Sequence, residues 1–143
     1  MVILYLAQSY SKYPQVTSED VLIHQAYRNA VIWKSKLWDL GFECYSPICD
    51  THPMHLAMGK PNIDYVKHDL AIVEAMIPNV VMVFADDCLS YRGIDFDDST
   101  LFVDEKKSKG AKTEYDFAVK NHIRCIRLTE LLEKKKIDKC EVF

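Results

Sequence analysis

Apolar and polar positions follow two different periods along this chain, and the changes of period mark its elements. Val2–Ala7 is a continuous apolar run that stops at Gln8-Ser9-Tyr10, as a strand buried on both faces reads where it meets a loop. Residues 8–18 are polar with one proline and form that loop. From Glu19 the period lengthens: Leu22, Ala26, Ala30, Trp33, Leu37 and Leu40 recur at steps of three and four, the stripe of one apolar helix face. Ser18 stands where an N-cap is expected and Gly41 where a helix-ending glycine is expected.

Phe42–Ser46 reads as a short strand stopped by Pro47. Residues 47–61 hold three prolines, two histidines and a glycine, and read as a second long loop. Ile63, Val66, Leu70, Val73 and Ile77 give another helical stripe, and Asn79–Ala85 a third buried strand. A helix over roughly residues 111–121 follows, then a last strand at His122–Leu128 and a lysine-rich helix from near Thr129. Residues 86–107 carry seven Asp or Glu among several aromatics, and their length suggests an insertion or lid. The alternation near Thr100–Val103 offers an extra strand. Strands alternating with helices predict an α/β fold: one doubly wound, flavodoxin- or Rossmann-like domain over 1–143, with a parallel sheet of about five strands and helices on both faces.

Length and charge narrow the class of function. A chain of 143 residues, 49% apolar, is long enough for a full core. Eighteen Lys and Arg against twenty-one Asp and Glu leave a formal charge of −3. That balance argues against a protein that coats a nucleic acid polymer or an anionic membrane, both of which call for a basic surplus. The Met1–Ala7 run is far shorter than the ~20 apolar residues of a membrane span. Five cysteines with no CxxC pair suit reduced thiols in a cytoplasm-like compartment and give no zinc signature.

In an open parallel sheet, ligands bind beyond the carboxyl ends of the strands. Ser108 and Gly110 lie there, before a helix whose first amides would face an anion, with Lys106, Lys107, Lys109 and Lys112 nearby. Taken alone, the same residues describe a glycine-containing turn with a solvated lysine face. Glu114 falls in the first turn of that helix, where the dipole favours the ionised carboxylate that a nucleophile needs; the plainer reading is a surface glutamate. Asp69 follows Tyr65 by four residues, beside the apolar stripe, where a raised pKa would suit a general acid. An ordinary solvated aspartate fits the position as well. His52 and His55, close to Asp50, lack a third metal ligand at a recognisable spacing, so a histidine that touches a ligand or is merely structural fits better than a metal site.

Leu4-Tyr5-Leu6-Ala7, then Ser46-Pro47-Ile48, then Tyr65-x-x-x-Asp69, then Ser108-x-Gly110-x-x-x-Glu114 with Ala118 resembles the nucleoside 2-deoxyribosyltransferase-like superfamily. That family includes 2′-deoxynucleoside 5′-monophosphate N-glycosidases and uncharacterised phage and bacterial branches. The resemblance implies Glu114 as the nucleophile that forms a covalent deoxyribosyl intermediate, Asp69 as the acid that assists the departing base, and Tyr5 as a support for Glu114. It places Ser108, Gly110, Gln8, Tyr10, Tyr65 and His52 around the substrate. It also implies a homo-oligomer, a small nucleotide or nucleoside as ligand, and no cofactor or metal.

In the family, an acidic residue six before the glutamate marks transferases of free nucleosides, and a serine there marks enzymes that bind a 5′-phosphate. Ser108 therefore points to a deoxynucleoside monophosphate whose N-glycosidic bond is cleaved or exchanged, since a hydroxyl holds a phosphate that an aspartate would repel. A non-catalytic nucleotide-binding protein on the same fold, and a transferase of free nucleosides, are the alternatives.

Overall fold

A computed structural model describes residues 1–9, 19–58, 65–89 and 101–135 of the chain. Its elements run β1 (Ile3–Ala7), α1 (Glu19–Asp39), β2 (Glu43–Tyr45), α2 (Pro47–Met58), α3 (Tyr65–Met76), β3 (Val80–Phe84), α4 (Lys109–Lys120), β4 (Cys125–Arg127) and α5 (Leu128–Lys134). The strands form a four-stranded, all-parallel sheet in the order β2-β1-β3-β4. Ile3 pairs with Val80 and Ala7 with Phe84 along the central pair. Both central strands are buried on either face, which is why each reads as an unbroken apolar run.

Side chains alternate across the sheet and sort the core into two layers. Leu4, Leu6, Val81 and Val83 pack with Leu37 of α1 and with Leu128 and Leu131 of α5. Tyr5, Ala7, Met82 and Phe84 pack on the other face with Val73 of α3 and with Ala111 and Ala118 of α4. The fold is thus α/β with helices on both faces. The sheet has four strands among the described residues rather than five. Among the described residues, the stretch offered as a fifth pairs through one antiparallel bridge, Leu89 with Val103.

Helix α1 ends as its glycine predicts. Gly41 sits at φ +92°, its amide donates to the Trp38 carbonyl, and the Phe42 amide donates to that of Leu37. The pair forms a Schellman cap, which needs a residue at positive φ. Ser18 lies outside the described residues.

Residues 47–58 are helix where a loop was expected. Pro47 occupies the first helical position, where its missing N–H costs nothing, and Ser46 Oγ accepts from the Cys49 amide as the cap. Pro53 sits inside the helix all the same. The terminal strand is also shorter than expected, because the helical run of α5 begins directly at Leu128.

The two ends of the 86–107 stretch are core rather than a detached flap. Cys88, Leu89, Leu101 and Val103 are all buried in the Tyr5 layer, while residues 90–100 lie outside the described set. None of the described helices is long and apolar enough to cross a membrane.

Candidate functional site

The chain leaves β1 towards β2 on one side and returns to β3 on the other, so a crevice opens beyond the carboxyl ends of β1 and β3. A cavity of about 360 Å³ lies there, lined by residues 6–8 of β1 and its exit, Pro47, Ile48 and Thr51 of α2, Val66 and Asp69 of α3, and residues 108–111 and 114. Four segments far apart in sequence therefore meet around one space.

Glu114 and Asp69 both reach it, from different helices, and each is only 7% exposed. Glu114 lies in the second turn of α4, since the helix starts at Lys109. The dipole argument for an ionised Glu114 therefore gives way to burial. Desolvation, aided by the nearby Asp69 charge, pushes its carboxyl up to about 8, and the Tyr5 hydroxyl opposes the shift. Burial pushes Asp69 up to about 7, with the charge of His68 opposing it and that of Asp50 adding to it.

Tyr5 projects from β1 into the same layer, fully buried. Burial first, and then the charges of Glu114 and Asp69, hold its hydroxyl far above the ordinary phenol range. The Tyr5 hydroxyl, Glu114 Oε2 and Asp69 Oδ1 are buried without a completed hydrogen bond. Glu114 and Asp69 line the cavity, and unpaired buried atoms of this kind are costly for a fold to keep unless a ligand satisfies them.

The start of α4 forms another part of the wall. Ser108 is the N-cap of α4, and its Oγ accepts from the Ala111 amide at 3.1 Å. That leaves the Lys109 and Gly110 amides without an intrahelical partner at the pocket wall. Gly110 is not required by its backbone conformation. A Cβ there would meet Val66 Cγ2 at 3.5 Å, an ordinary contact.

Of the four lysines near this turn, Lys109 lines the cavity. Lys112 pairs with Asp116 at 2.9 Å and lies over the Tyr115 ring, and Lys107 Nζ donates to the Leu89 carbonyl. Ser9 braces the rim: its amide donates to Asp87 Oδ1 and its hydroxyl to the Lys107 carbonyl, both at 2.8 Å.

Gln8 lines the cavity as well. His52 does not; it is buried and stacks on Tyr27 of α1, with ring centroids 4.7 Å apart. Its burial follows from the unexpected helix, which turns it inward against α1. Tyr10 lies outside the described residues, as does the side chain of Tyr65, the first residue of α3.

Ile48 and Thr51 are cavity residues that sequence reasoning missed, because α2 carries them. The signal was the Ser46-Pro47 helix start. Among the described residues no three metal-ligating side chains converge. The chain matches no protein-family model and no curated protein in sequence.

Proposed function

We propose that the protein cleaves or exchanges the N-glycosidic bond of a 2′-deoxynucleoside 5′-monophosphate. The observation that carries this reading is the pairing of two buried carboxyls from separate helices, Glu114 and Asp69, in one cavity that also contains the amide-rich start of α4. Two carboxyls flanking a glycosidic carbon supply both halves of a retaining displacement. The Glu114 carboxylate attacks C1′ and the C1′–N bond breaks. Asp69 delivers its proton to the departing base. Water, deprotonated by Asp69, then attacks C1′ of the glycosyl ester and frees Glu114. The products are the base and deoxyribose 5-phosphate. A second base in place of water makes the same sequence a transfer.

The 5′-phosphate falls to Ser108 and the Lys109 and Gly110 amides, with Lys109 adding charge. The mostly apolar remainder of the wall suits a planar base and keeps bulk water from the intermediate.

One observation favours a second reading. Burial holds the Glu114 carboxyl up to about 8, and a neutral carboxyl binds a sugar without attacking it. On that reading the protein holds a nucleotide and leaves it whole.

Base release followed by chromatography separates the two. Deoxynucleotides, deoxynucleosides and ribonucleotides are incubated with the wild-type protein and with Glu114→Ala. Release from deoxymonophosphates that disappears in the variant supports cleavage, and release only with a second base present supports transfer. Stabilisation by nucleotide with no release supports binding alone. Release that survives Glu114→Ala overturns the mechanism.

A further inference from the structure

Gln8 is the first residue after β1, and its side chain lies on the α1 side of the sheet, in step with Leu4 and Leu6. It is 7% exposed. Its Nε2 donates to the Ala26 carbonyl of α1 at 3.1 Å, a bond that fixes which end of the amide is which. Reversing the amide would set oxygen against oxygen at Ala26. Oε1 is therefore the unpaired end, buried and without a hydrogen-bond partner, on a residue that lines the cavity.

We propose that Gln8 Oε1 is a specificity-determining acceptor that requires an N–H or O–H donor from the bound ligand. An oriented acceptor that cannot turn over discriminates by chemistry. A ligand with a donor at that point completes the bond, whereas one with a carbonyl there faces an unmatched pair of oxygens. The inference rests on the nucleotide reading above and sharpens it. Within a deoxynucleotide, the donor is an exocyclic amino group or a ring N–H of the base, or the 3′-hydroxyl of the sugar. Glu114 and Asp69 act at C1′ in that reading, so the acceptor at Gln8 is separate from the reacting groups.

The test is calorimetric binding in a Glu114→Gln background, which prevents turnover in every arm. dCMP is compared with dUMP and dAMP with dIMP, pairs that exchange an amino group for a carbonyl. A 2′,3′-dideoxynucleotide is compared with its 3′-hydroxyl parent. Gln8→Met, close in shape and without the amide, is measured against the same ligands, with thermal unfolding to confirm that it folds.

The expected result is about a three- to ten-fold affinity advantage for one member of at least one comparison, as one hydrogen bond implies. That advantage disappears in Gln8→Met. An advantage for the amino bases assigns the donor to the exocyclic amino group, one for the carbonyl bases assigns it to the ring N–H they carry, and one for the 3′-hydroxyl assigns it to the sugar. Nucleotides that bind with no preference in any comparison, or with a preference that Gln8→Met retains, overturn the role of Gln8 and leave the nucleotide reading standing. Failure of every nucleotide to bind overturns both.

Discussion

The Tyr5 hydroxyl and the Glu114 carboxyl are both buried and close enough for each to alter the other's titration, while Glu114 Oε2 stays without a hydrogen-bond partner. Tyr5 favours the charged form of Glu114, against the desolvation that favours the neutral one. Tyr5→Phe removes that support and raises the Glu114 pKa further. Activity near pH 7 should fall by on the order of ten-fold, the consequence of about one pKa unit, and the acid limb of the pH–rate profile should move to higher pH. Thermal unfolding of the ligand-free variant should stay within about 1 kcal/mol of wild type, because the lost hydroxyl was already unsatisfied. A variant of full activity would show that Tyr5 only fills space.

Burial of Glu114 also makes stability depend on pH. Its carboxyl binds a proton up to about pH 8 when folded, against an ordinary value of 4.5. Between those values the native state holds the extra proton, so this group's contribution is complete at low pH and is lost as pH rises through about 8. Glu114→Gln carries no such dependence. The stability of Glu114→Gln relative to wild type should rise between pH 5 and pH 8 by a few kcal/mol at most. Denaturant unfolding of both proteins across that range measures it. A difference that stays flat would place Glu114 in water rather than in the core.

Asp69 at about 7 and Glu114 at about 8 titrate as a pair. Displacement at C1′ needs Glu114 ionised and Asp69 protonated. That is the minor arrangement of the single-proton state, because Glu114 holds its proton more tightly, and it is most populated where the pair holds one proton. The profile of kcat/KM against pH should be a narrow bell centred between about 7 and 8. Asp69→Asn removes the acid. It should lower kcat by two to four orders of magnitude, the usual worth of general acid catalysis, and flatten the alkaline limb. A variant that keeps that limb would assign the acid to another group.

Much of this arrangement is legible in the chain because periodicity records burial. The unbroken run of β3 and the spaced stripe of α1 mark the sheet and the helix that covers it. Local rules failed where tertiary packing decides. Pro47 and Pro53 read as breakers, yet the capping Ser46 and contacts to α1 carry a helix through both. Position in a helix suggested an ionised Glu114, whereas desolvation depends on which helix covers it. The orientation of the Gln8 amide depends on a carbonyl eighteen residues away.

Two helix ends offer a direct test of backbone strain. Gly41 at φ +92° and His122 at φ 57° hold equivalent places, each followed by an amide that donates back to the carbonyl five residues earlier, Leu37 and Ala118 respectively. Glycine enters this region without the penalty that a Cβ brings. His122→Gly should therefore stabilise by about 0.5–1 kcal/mol, and Gly41→Ala should destabilise by about 1–2 kcal/mol. Nothing lies within 4 Å of a Cβ at Gly41, so the loss would report backbone conformation and not a clash. Equal effects of both changes in denaturant unfolding would remove strain as the cause.

Ser108 does two things that one substitution separates. As the N-cap of α4 it accepts from the Ala111 amide, and beside the cavity it offers a hydroxyl to an anion. Aspartate caps a helix as well as serine does and complements the dipole. Ser108→Asp should therefore unfold within about 0.5 kcal/mol of wild type, whereas Ser108→Ala should lose about 1 kcal/mol with the cap. Binding should divide the two variants differently. The new carboxylate repels a phosphate in a site of low dielectric, so Ser108→Asp should lose at least about ten-fold in affinity for deoxynucleoside monophosphates. Affinity for the corresponding free nucleosides should hold or improve, because a carboxylate accepts from sugar hydroxyls. Calorimetry with each nucleotide and its nucleoside measures both. If Ser108→Asp weakens the two ligands alike, the phosphate does not bind at the start of α4.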